Sequence, residues 1–165
     1  MIPYQFKEEI DDVGFFRFDK KWIENKNWAL LPMASKAILP VIGCHCDANG
    51  NAFPGERRIA ILSGLSDKTV RKGIRGLEAL PGFESEPYVT SRLKKSKKFT
   101  LELPSLERGR FFSFHKFILE SGIWRGLSTV AKAVYHHLLN KSSNSTRIKN
   151  DSTKALDDDS ENIPF

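Results

Sequence analysis

Cysteine is nearly absent from this chain, with two residues, Cys44 and Cys46, among 165. A pair separated by one residue cannot close a useful disulfide, so no covalent framework is expected and a reducing compartment is. Long apolar runs are also missing. None approaches the roughly 20 residues that span a bilayer, and the opening MIPYQFKEEIDD is acidic, unlike a secretory leader. Membrane insertion and secretion are excluded on this reading, and a cytoplasmic protein is expected. The chain has no Ser-His-Asp arrangement, no paired carboxylates and no phosphate-binding loop, so neither enzymatic activity nor a cofactor is expected. Acidic groups are outnumbered, with 26 Lys+Arg against 20 Asp+Glu giving a formal charge of +6. At 40% hydrophobic and 28% charged residues the chain can build a core. A basic, soluble, disulfide-free chain of this length points to nucleic acid as its partner class.

Along the chain, a polar segment (1–14) precedes the aromatic run FFRF from Phe15, which reads as a strand. From Lys20 to about His45 the pattern is helical and broken by two prolines. Pro32 suits a helix start, and Pro40 should kink the helix or cap a new turn. CDANGNAFPG reads as a loop. Residues 56–80 read as two helices separated by Gly64. FESEPYVT and KFTLEL alternate as a hairpin joined by SRLKKSKK. The sequence from Phe111 can be laid without gaps on that from Phe15 at a constant shift of 96. Phe15/Phe111, Phe16/Phe112, Phe18/Phe114, Lys20/Lys116, Glu24/Glu120, Trp28/Trp124, Leu31/Leu127, Lys36/Lys132 and Ala37/Ala133 are identical. This is an internal repeat that stops before a second helix-turn-helix. An incomplete unit leaves an apolar face, so it is expected to pack on the first domain or mediate self-association. The phenylalanine clusters heading each copy read as core strands rather than base-stacking surfaces.

The strongest local signal is ERRIAILSGLSDKTVRKGIRGLEAL from Glu56. Two steeply crossed helices need a small residue at their approach, supplied by Ala60, and a left-handed residue in the turn, supplied by Gly64. Ile59, Leu62, Leu65 and Val70 are spaced to fill the angle, and Ser66 suits the N-cap of the second helix. On that helix Val70, Ile74 and Leu77 share one side, while Lys68, Arg71, Lys72 and Arg75 project from the other and Thr69 lies near its start. One face belongs to the core and the other is a stripe of cations. This is what a recognition helix needs to read base edges and neutralise phosphates. Arg92, Lys94, Lys95, Lys97 and Lys98 are expected to crowd a short, very basic hairpin tip, where a phosphate backbone would relieve their repulsion. Two helices followed by a basic hairpin make a winged helix.

The pairs Lys36-Ala37, Asn49-Gly50, Phe53-Pro54, Ile59-Ala60, Thr69-Val70 and Leu77-Glu78, with the run Ser63 to Ser66, resemble the winged helix-turn-helix family of phage and plasmid replication proteins and related regulators. The resemblance implies an α+β fold and DNA as partner. The expected organisation is an N-terminal segment (1–14), a winged-helix DNA-binding domain (15–104), a helical half-repeat (105–141) and a disordered acidic tail (142–165). The DNA-binding residues expected are Ser66, Lys68, Thr69, Arg71, Lys72, Arg75, Arg92, Lys94, Lys95, Lys97 and Lys98.

The last residues, ALDDDSENIPF, are similar to the acidic tip of bacterial single-stranded-DNA-binding proteins. That resemblance implies docking to a host replication or repair protein. Phe165 would enter an apolar pocket and Pro164 would limit the entropy lost on ordering. Ile163 completes the apolar end, while Asp157, Asp158, Asp159 and Glu161 steer toward a basic rim. The same tip could also rest on the chain's own basic face and compete with DNA, a reading compatible with docking. Replication of a mobile element is the leading expectation, with a transcriptional regulator as the alternative. An adaptor that mainly occupies the tip-binding pocket of host proteins is a third. Cys44-His45-Cys46, even with His136 and His137, has no usual structural zinc spacing, so these residues are expected to pack and no metal site is expected.

Overall fold

The computed structural model describes residues 14–107 and 109–141. Strand β1 (Phe15–Asp19) leads into two single-turn helices, α1 (Lys21–Glu24) and α2 (Asn27–Leu30), and then into α3 (Met33–Gly43). The segment from Lys20 is therefore three helices, with Lys26 in the left-handed region at φ 62° before α2. Pro32 is the N-cap of α3, which runs on through Pro40. The helix does not end at Pro40 to begin a new turn. Pro40 cannot bond the Lys36 carbonyl, but it sits buried in an almost wholly buried helix end, where packing offsets one lost hydrogen bond. Beyond α3, the expected loop contains a two-residue strand, β2 (Asn51–Ala52). Asp47 Oδ1 shapes the turn before it by accepting from the Asn49 and Asn51 amides.

Helices α4 (Glu56–Ser63) and α5 (Asp67–Leu77) follow, then strands β3 (Phe83–Val89) and β4 (Lys95–Leu101). The antiparallel sheet has the order β2-β4-β3, with Ala52 opposite Phe99 and Phe83 opposite Leu101. Its inner face closes on α5 through Phe83, Phe99 and Leu101. Ile59 and Val70 are fully buried between the helices, while Leu62 and Leu65 lie partly buried at the edge.

Strand β5 (Phe111–His115), α6 (Phe117–Glu120) and α7 (Ile123–Gly126) follow, and residues 129–141 form a further helix, α8. The bounds of β5, α6 and α7 fall 96 residues after those of β1, α1 and α2. Gly122, at φ 79°, is likewise 96 residues after Lys26. Strand β5 pairs with β1 antiparallel, with Arg17 opposite Ser113 at the centre and Phe16 and Phe18 opposite Phe114 and Phe112. Trp28 Nε1 donates to the Ala133 carbonyl at 3.3 Å, and Trp124 Nε1 donates to the Ala37 carbonyl at 2.9 Å. The two halves thus exchange matching contacts about a local two-fold axis between Arg17 and Ser113. One core joins both sides of residue 104.

Candidate nucleic-acid interface

Helix α5 is held against α3 along its whole inner side. Val70, Ile74 and Leu77 are fully buried. Each contributes about 1.5–3 kcal/mol through the apolar surface it removes from water. Gly73 lets the two backbones approach: a Cβ there would lie 2.8 Å from Ile38 Cδ1 and 3.1 Å from the Ala34 carbonyl. Ser35 Oγ donates to the Gly73 carbonyl at 2.7 Å and locks the register. At the turn, Gly64 is left-handed at φ 72°. Ser66 caps α5 by accepting from the Thr69 amide at 3.2 Å.

The anchoring fixes what faces outward. Lys68, Arg71, Lys72 and Arg75 are all exposed on α5. Thr69 is half-buried, with its hydroxyl 2.8 Å from that of Ser66, so these two side chains are engaged in the cap. Arg71 Nε donates to Glu56 Oε2, from the start of α4, at 2.8 Å. The bond and charge of Glu56 raise the Arg71 pKa further. The contact uses Nε, so the two terminal amino groups keep donors directed elsewhere. Residue spacing within α5 gave no sign of Glu56, because the partner lies across the turn on another helix.

The hairpin differs from the expected basic tip. The tip is 90–94, closed by the Thr90 amide on the Lys94 carbonyl at 2.9 Å, and only Arg92 and Lys94 among the expected cations lie on it. Lys95, Lys97 and Lys98 are within β4, which begins earlier than its alternation suggested because its first half extends beyond the core. Lys98 pairs with Glu86 at 2.9 Å, directly opposite on β3. Lys95 and Lys97 point to the other face, where they line a shallow cleft of about 440 Å³ with Arg57 and Glu56. Sequence reasoning did not include Arg57. That cleft connects hairpin and helix-turn-helix on one side of the molecule.

Burial pushes the thiols of Cys44 and Cys46 up to about 12, so both stay protonated. His45 Nδ1 lies 2.7 Å from the Val41 carbonyl. Among the described residues no group of His, Cys, Asp or Glu is arranged to hold a metal ion. The tip residues Asp157, Asp158, Asp159, Glu161, Ile163, Pro164 and Phe165 lie outside the described residues.

Residues 29–80, which run from α2 to just past the end of α5, match the family model of a helix-turn-helix domain. The chain therefore carries such a domain, a class in which the second helix docks on DNA. No curated protein and no solved structure matches the chain. No helix among the described residues is long and apolar enough to cross a membrane.

Proposed function

We propose that this is a non-enzymatic, winged-helix DNA-binding protein in which α5 enters the major groove and the β3–β4 hairpin is the wing. The observation that carries this reading is the exposed set Lys68, Arg71, Lys72 and Arg75 on a helix whose other side is fully anchored. Anchoring matters because cations on a fixed rod arrive at the phosphates already positioned, without the ordering cost of a mobile segment. The wing adds Arg92 and Lys94 at its tip, and the cleft lysines Lys95 and Lys97 connect it to α4. The two-fold arrangement is an internal duplication in which only the first copy retains a helix-turn-helix.

Association with replication of a phage, plasmid or other mobile element is the finer part of the proposal. It is supported by the sequence pattern of 33–80 and by the acidic ending with Ile163, Pro164 and Phe165, which would recruit a host replication or repair protein. The test measures duplex affinity across a salt series for the full chain, a triple R71A/K72A/R75A variant and a chain lacking 163–165. The triple variant is expected to lose most of its affinity, with a salt slope lower by about 0.9 per lost phosphate contact. The shortened chain is expected to keep DNA binding but lose capture of a replication protein. A sharp preference for one operator with no effect of the deletion would make the protein a transcriptional regulator. A triple variant that binds as the parent does would overturn the DNA reading.

A further inference from the structure

Helix α7, from the second half of the chain, lies directly over the turn of the helix-turn-helix. A Cβ on Gly64 would fall 2.6 Å from the Arg125 carbonyl oxygen and 3.2 Å from its Cγ. The Arg125 side chain, itself exposed, thereby borders a cleft of about 410 Å³ with Arg57, Ile61, Ser66 and Asp67. Arg57 comes from the first turn of α4, whereas Ser66 and Asp67 open α5. No ion pair among the described residues engages either arginine. Asp67 offsets one of the two positive charges, so the cleft keeps a net positive charge. The matching of the two halves supplies a separate observation. Ninety-six residues before Arg125 stands Ala29, at the same place on α2, with no charge to offer. The copies thus differ by a guanidinium where the second one meets the DNA-reading unit.

We infer that Arg125 and Arg57 form a clamp for a backbone phosphate of the duplex whose groove α5 occupies, so the C-terminal half forms part of the DNA-binding surface. The inference rests on the DNA-binding reading and extends it to a residue outside the helix-turn-helix. Guanidinium groups suit the task because their planar donor forks match two phosphate oxygens. Such a contact carries no base information and strengthens binding to every sequence alike.

The experiment uses the full chain and a random-sequence duplex, with affinity measured by fluorescence anisotropy over a salt series. R125A and R57A are each expected to lower the salt slope by about 0.9 and to weaken binding about eightfold near 0.1 M salt. R125K, which keeps the charge, is expected to recover most of the slope. K21A, which removes one exposed cation elsewhere, is the control for net charge. An R125A protein with the parent's slope and affinity, alongside an R71A/K72A protein that has lost binding, overturns the clamp and leaves the DNA reading standing. A loss in R125A no larger than in K21A, or one that tracks a lowered melting temperature, also overturns it. A parent chain that binds no duplex overturns both.

Discussion

His136 is fully buried among rings, with Phe18 stacked at 4.3 Å and Trp28 edge-on at 4.8 Å. Neither ring nitrogen has a hydrogen-bond partner. Burial, with a smaller contribution from His137, lowers its pKa from 6.5 to about 3. The folded chain therefore holds this imidazole neutral, whereas the unfolded chain protonates it below about pH 6.5. Stability from this site is complete above that pH and falls by about 1.4 kcal/mol per pH unit on acidification, down to about pH 3. At pH 5 the loss is about 2 kcal/mol. H136F should fit the same aromatic stack and carries no nitrogen to desolvate. Urea unfolding between pH 7 and pH 4 should show a shallower decline for H136F than for the parent, by one proton's worth of slope. Parallel declines would mean that the ring is not the titrating group.

The contact between α3 and α5 carries the next prediction. Glycine inside a helix normally costs about 1 kcal/mol relative to alanine, so replacing an exposed one stabilises. At Gly73 the sign reverses, because the added methyl would meet Ile38 Cδ1 and the Ala34 backbone at 2.8 and 3.1 Å. The Ile38 side chain can shift, but the Ala34 carbonyl cannot without moving α3. G73A should therefore destabilise by about 1–3 kcal/mol, the usual cost of overpacking, and tilt the helix that carries Lys68, Arg71, Lys72 and Arg75. Thermal melting combined with duplex affinity checks this: a rise in melting temperature would show that the helices are not in contact there. Elements such as α4, the Gly64 turn and α5 were legible because their signals are local, namely a small residue, a left-handed glycine, a cap and an apolar stripe within 25 residues. Strand β2 was not, since two residues carry no alternation. The Glu56–Arg71 pair and the Lys98–Glu86 pair were hidden for a related reason. Each joins residues whose proximity is created by a turn, and helical or strand periodicity taken within one element cannot report it. A new turn at Pro40 was expected from the local penalty alone, without the burial that offsets it.

At the scale of the molecule, the matching at 96 residues was visible in sequence, but its geometry was not, because alignment says that two segments are alike and not that they pair. The pairing makes each half complete the other. Phe18 stacks on Phe112 at 4.6 Å, the Trp28 indole donates to Ala133, and Trp124 donates to Ala37. Cutting the chain after residue 104 would strip β1 of its partner strand and uncover Phe18 and Trp28, both now fully buried. At about 1.5–3 kcal/mol for each large apolar side chain, the loss is about 3–6 kcal/mol. A domain is typically stable by only about 5–15 kcal/mol, so that loss is a large part of the whole. The segment 15–104 holds every DNA-contacting residue of the helix-turn-helix and hairpin, yet it should unfold at much lower urea than 14–141, or fail to give a cooperative transition. Circular dichroism of both fragments across a urea titration decides the matter. Equal midpoints would mean that the helix-turn-helix and its sheet stand without the second half, and that the two-fold contacts add surface but little stability.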